Sequence, residues 1–442
     1  MKKMASVLLI LPLLLLLSSP VLADDNNNWA EVLQVGDENV ARQNQDGSWN
    51  DNDATILQGT CRGCDEGPIE TVLNEAEQNQ GGSNWNNTAK ITQFGFGNSA
   101  TQNQFGEDNY NDAEIFQFGE GNRAMQNQEG VGNDNDAIIS QGSCDACGLE
   151  PFPGNYNYAE QNQWGEGNSN TASIEQIGND NWAMQSQGGF FNDNDATIFQ
   201  NGHRNTAQQI QVEGDGTENE NFAEIFQGNC EGCDSRPFVS EDNYASQFQG
   251  GFFTINWASI TQLGDLNTAD QMQTGLENVN TATIFQHGNG NSASQTQRGW
   301  DGVNINTAEI SQGNCEGCDG GPPFVSNENI AEQVQEGVDN TNTASITQLG
   351  DFNLATQHQY GEWNESEAII IQFGDRNEAH QDQDGEHNDN YAKIRQGYCN
   401  GCGGPFQSFG NYAEQNQGGV NNINWGLITQ LGDGNSAIQN QN

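Results

Sequence analysis

A single phrase repeats along this chain in two alternating forms. One form is N-x-A-x-I-x-Q-x-G, as in Asn111–Gly119, and the other is N-x-A-x-Q-x-Q-x-G, as in Asn122–Gly130. Starting from Asn87, the leading Asn recurs at 98, 111, 122 and 135, in alternating steps of 11 and 13 residues. Thirty such arms fit, making fifteen pairs of about 24 residues, with Ser366 replacing the leading Asn in one of them. Within an arm the period is two: Asn111, Ala113, Ile115 and Gln117 share one parity, while Asp112, Glu114 and Phe116 take the other. Strict alternation marks a strand with one buried face. The Gly and Asn/Asp cluster after each arm supplies a turn. A pair of arms therefore reads as strand-turn-strand-turn, one rung of a coil. The pattern predicts an all-β solenoid of about fifteen two-strand rungs, with two facing parallel sheets of amyloid-like register. At about 4.8 Å per rung it would span roughly 72 Å.

The inward face is unusual in being Asn, Ala, Ile and Gln rather than Leu and Phe. Buried amides are costly unless paired. Stacked in register, each amide can bond its own copy in the next rung, as in cross-β ladders. That arrangement requires a near-exact repeat, which is what the chain has.

Outside the repeat, residues 1–23 read as a secretory signal. Lys2 and Lys3 precede an apolar run from Val7 to Leu17, with cleavage expected after Ala23. Residues 24–442 are then the exported solenoid, and no later segment is apolar for long enough to cross a bilayer. Removing Lys2 and Lys3 from the 12 Lys+Arg leaves 10 against 61 Asp+Glu, a formal charge of −51. Such a field repels nucleic acid and anionic lipid, so neither nucleic-acid binding nor membrane insertion is expected. No nucleophile–base set stands out, His203, His287, His358, His380 and His387 are scattered, and the acids sit at repeat positions. The chain does not read as an enzyme, and no cofactor is implied.

The phrase Q-x-G-x-x-N-x-A-x-x-x-Q, at Gln117–Gln128 and Gln262–Gln273, resembles the curlin repeat of curli fibre subunits. The resemblance implies a β-solenoid that polymerises outside the cell into functional amyloid, serving biofilm matrix and adhesion. It also implies a nucleator protein and an outer-membrane secretion pore as partners. The phase of the repeat suggests head-to-tail stacking of copies, since uncapped first and last rungs would continue the order of the phrase. A secreted monomer that binds cations, polysaccharide or ice on its regular face is the rival from another class. Fast assembly at low pH or with divalent cations is expected, because dense acids between strands oppose association.

Every third rung carries an insertion with a Cys-x-x-Cys: Cys61 and Cys64, Cys144 and Cys147, Cys230 and Cys233, Cys315 and Cys318, Cys399 and Cys402. First cysteines are about 85 residues apart, and three rungs amount to roughly 14 Å along the axis. Three chemistries fit: a small disulfide ring within each loop, disulfide exchange between loops, or half of a tetrahedral thiolate metal site. An oxidising export route favours the disulfides. A periodic row of metal-thiolate centres along a fibre is the remaining variant.

Two minor candidates complete the reading. Turns such as Gly264–Asn267, Gly350–Asn353 and Gly374–Asn377 resemble calcium-binding turns but lack the nonapeptide period, so solvated turn acids are expected. Phe94, Phe116, Phe118, Phe199, Phe226, Phe285 and Phe373 face outward, either as a stripe for lateral contact or stacked over neighbouring turns.

Overall fold

The computed structural model describes residues 27–48, 51–59, 71–83, 86–142, 154–212, 219–228, 240–300, 302–313, 325–397 and 408–441. The alternating arms form strands, and the strands stack rung on rung. Rung 1 is Asn27–Gln34 with Val40–Gln45, and rung 15 is Ile423–Gln430 with Ser436–Gln441. First arms pair only with first arms and second arms only with second arms, always parallel. The two sheets face each other across the core. Two further strands of two residues each, Ser240–Glu241 and Ser408–Phe409, rejoin the first sheet beyond an insertion.

Register is set by residue identity. Asn111, Ala113, Ile115 and Gln117 of rung 4 (Tyr110–Glu120 with Arg123–Val131) lie opposite Asn87, Ala89, Ile91 and Gln93 before them. They lie opposite Asn135, Ala137, Ile139 and Gln141 after them. A one-residue slip would send every buried side chain to solvent, and a two-residue slip would set Asn against Ala and Ile against Gln and break the matched rows. The main apolar core is a row in which first-arm Ile meets second-arm Ala, from Ile56 and Ala76 through to Ala413 and Ile428, and a small second cluster joins Ile177, Phe199 and Phe226. Ala is small enough to let the sheets close, and Ile fills the gap that remains.

Turn geometry explains the glycines. Gly119 has φ +133°, and a Cβ there would lie 2.0 Å from the carbonyl oxygen of Gly154 in the next rung. Both the left-handed backbone and the rung spacing exclude a side chain. Two residues on, a second left-handed position accepts non-glycine residues, including Asp180, Leu266, Phe352 and Arg376, at φ 57–59°.

Candidate functional site: stacked amide ladders

The feature with functional content is the set of side-chain amides running the length of the solenoid. Gln34 Nε2 donates to Gln58 Oε1, Gln58 to Gln93, and so on without a break to Gln430, fourteen bonds of 2.6–2.9 Å. A second row runs from Gln43 to Gln439 in fourteen bonds of 2.8–3.1 Å. A third runs from Gln45 to Gln441 in fourteen bonds of 2.7–3.0 Å. In all three the earlier rung donates and the later rung accepts. Every rung thus shows amide oxygens to the rung before it and amide N–H groups to the rung after it.

The same amides also tie the two sheets together. Gln102 Nε2 reaches the carbonyl oxygens of Lys90 at 3.0 Å and Ala113 at 2.9 Å on the facing sheet, besides its own ladder bond. In return, Gln117 Nε2 reaches the Ser99 carbonyl at 3.1 Å. A buried amide so placed satisfies its donors and acceptor at once, which removes the penalty of burying it. The sequence foretold the axial ladder but not this cross-sheet bonding. The signal was available: Gln, unlike Asn, is long enough to reach across a core whose opposite position is only Ala.

The inward Asn row runs with the opposite polarity, each later Nδ2 donating to the earlier Oδ1. It is continuous from Asn342 back to Asn52 in ten bonds of 2.8–3.2 Å. It stops where Ser366 takes the Asn position, and there the buried Nδ2 of Asn390 has no partner. The row resumes with Asn424 donating to Asn390 Oδ1 at 2.9 Å.

The turn acids read as solvated are in fact bonded between rungs. Asp351 Oδ1 accepts from the backbone N–H and the side chain of Asn327 at 2.9 and 3.0 Å, and Asp375 Oδ1 accepts the Asp351 N–H at 2.9 Å. Of the outward phenylalanines, Phe94, Phe199 and Phe373 are buried, and Phe94 lies 5.8 Å from Phe116, ring to ring. They cover turns and neighbours instead of forming an exposed stripe. Outward histidines pair locally, His358 with Asp382 at 3.1 Å and His380 with Glu378 at 2.8 Å. The Asp382 carboxylate holds the His358 imidazole above its ordinary pKa.

All ten cysteines, from Cys61 to Cys402, lie outside the described residues, as does the segment 1–23 expected to be a secretory signal. The residues flanking the insertions are described. They leave the first sheet at Gly59, Gly142, Gly228, Gly313 and Gly397, in rungs 2, 5, 8, 11 and 14. The three-rung spacing expected of the insertions holds for these anchor points. Among the described residues, no three His, Cys, Asp or Glu side chains gather into a metal-sized group, and no helix is long and apolar enough to cross a membrane.

Parallel in-register rungs, identical residues in rows and amides bonded along the axis define a β-solenoid with the internal order of a cross-β assembly. Residues 111–142 match the family model of the curlin associated repeat. The matched segment is rung 4 with the first arm of rung 5, and rung 4 stacks in register with arms of the same phrase on either side. No curated protein matches the chain.

Proposed function

We propose that this chain is an exported structural subunit that stacks on further copies of itself into curli-like extracellular fibres, for matrix or attachment. The observation that supports it is the uniform direction of the three glutamine ladders. A rung that shows N–H groups on one side and oxygens on the other is complementary to another copy in the same orientation. An inverted copy would set donor against donor, so addition is head-to-tail. The curlin repeat at residues 111–142 supports the same reading, since that family is structural and not enzymatic. Export through the signal at residues 1–23, a nucleator that offers the first template and an outer-membrane pore complete the proposal.

Acid is expected to speed assembly. Burial and like-charged neighbours raise the Asp112 carboxyl above its ordinary pKa, and Asp136 behaves likewise. Lowering the pH from neutral therefore removes repulsion between stacked acids first where it is greatest. For the Cys-x-x-Cys pairs we propose disulfide rings. A thiol count with metal analysis on unreduced protein should find blocked thiols and no bound metal, whereas free thiols holding zinc would overturn that assignment. The assembly reading is tested by incubating purified mature protein and viewing it by electron microscopy. Fibres are expected, appearing sooner at low pH; a monomer that persists at high concentration would refute it.

A further inference from the structure

The outer face of the second sheet carries a feature that assembly does not use. Between the two inward glutamines of the second arm, rungs 1 to 5 place an outward Asn: Asn44, Asn79, Asn103, Asn127 and Asn162. Each donates to the next, at 2.7, 2.9, 2.8 and 2.7 Å. The last amide is held from the other side by Glu160, which accepts from Asn162 Nδ2 at 2.9 Å and from the Tyr158 hydroxyl at 2.6 Å. Beside this row, Phe105 and Trp164 stand outward two rungs apart, 41 % and 38 % exposed. Their rings fold in opposite directions along the axis. A Cβ on Gly81 would lie 3.1 Å from the Phe105 ring, and one on Gly188 would lie 2.3 Å from the Trp164 ring. The two glycines thus give the rings room to lie back, and Glu129 occupies the rung between them. The result is a trough of about 700 Å³ walled by two aromatic faces, with a line of half-buried amides along its side.

We propose that this trough binds a neutral polysaccharide whose sugar rings carry equatorial hydroxyls, of the β-glucan type. Such a ring has apolar C–H faces, which suit the two aromatic walls, and hydroxyls at its edge. Asn103 and Asn127 each spend one N–H on the ladder bond, and Asn162 spends one on Glu160, so each keeps a second N–H and an oxygen lone pair for those hydroxyls, whereas Asn79 gives its second N–H to Glu77 at 3.1 Å. Glu129 offers a further acceptor. The amide row is periodic, lines the trough from Asn79 to Asn162 and continues beyond it to Asn44, which suits a polymer laid along the axis better than a single sugar. Charge selects against other polymers: with 61 acids in the chain and Glu129 in the trough, a polyanion is repelled. The concave shape disfavours a second copy, whose pleated face would not fill it.

The proposal goes beyond fibre assembly and is tested apart from it. Full-length mature protein, freshly purified and also as fibres, is run against soluble mixed-linkage β-glucan in affinity electrophoresis and pulled down with microcrystalline cellulose. Phe105→Ala combined with Trp164→Ala should weaken retention at least tenfold, and Asn127→Ala about threefold, with circular dichroism and fibre formation unchanged. Trp257→Ala, which removes an exposed Trp on the other sheet, should leave retention at the wild-type level. The proposal is overturned if the Trp257 variant loses as much as the double variant, or if anionic alginate is held as firmly as β-glucan. It is also overturned if the double variant changes only the width of fibre bundles and leaves glucan retention intact, which would assign the trough to a second copy. A chain that binds glucan but never forms fibres would sink the assembly reading and leave this one standing.

Discussion

Gln126 and Asn127 are neighbours on one strand, and each bonds its own copy in the next rung, at 2.9 and 2.7 Å. The bonds are alike in length and kind, yet their rows have different histories. The inward row containing Gln126 crosses all fifteen rungs without substitution. The outward row stops after Asn162, where Ser186, Ile210 and Phe248 follow at the same register, and reappears only as Asn416 and Asn440. Burial makes the difference. An outward amide that loses its partner turns to water, whereas an inward one is left unpaired among Ile and Ala. The indispensable quantity is therefore not the strength of an amide bond but the penalty of failing to make it.

Gln126→Ala takes the ladder donor from buried Gln161 Oε1 and the cross-sheet donor from the Glu114 and Ala137 carbonyls, and leaves a cavity, so a loss of about 3–5 kcal/mol is expected. Urea denaturation of the soluble chain would read it as a large drop in midpoint. Ser366→Asn tests the same rule in reverse. It supplies the absent link between Asn342 and Asn390 and gives the Asn390 amide its partner, so a gain of about 1–2 kcal/mol and a higher midpoint are expected. No gain there would mean that the ladder is not what stabilises the inner face.

The outward acids bring a smaller, distributed effect. Asp112, Asp136, Asp195 and Asp270 all have carboxyl pKa values raised, chiefly by burial. A carboxyl that holds its proton more tightly when folded makes stability rise as pH falls from neutral towards the ordinary value of 3.8. Midpoints measured at descending pH should climb through that window, and Asp112→Asn should flatten the climb. The least change is expected for Asn127→Ala, within about 0.5 kcal/mol, since water replaces the lost partner. A cost there as large as that of Gln126→Ala would contradict the role given to burial.

Much of this was legible beforehand because the repeat is nearly exact. The period of two separated inward from outward residues, and Asn111, Ala113, Ile115 and Gln117 stack on their copies as that period requires. The axial ladders followed from the same logic. Three matters were not legible, for physical reasons. Ladder direction depends on which side of each amide finds a carbonyl, and no residue type encodes that. The cross-sheet bonds of Gln102 depend on the sheet separation, which Ala sets only indirectly. The outward phenylalanines read equally well as a stripe or as cover, and only the three-dimensional course of the turns decided for cover at Phe94 and Phe373. The outward Asn row was visible as the string Gln-Asn-Gln at residues 78–80, 102–104, 126–128 and 161–163. Its meaning emerged only with Phe105 and Trp164 placed beside it.

If copies of the chain stack as proposed, the rungs of every copy lie across one fibre axis, and X-ray diffraction from aligned fibres tests that stacking. A sharp reflection near 4.8 Å on the meridian is predicted, because each rung lies across the axis and bonds the next along it. A 4.8 Å spacing on the equator, or fibres with no such reflection, would show that the ladders do not run along the fibre and would contradict the account.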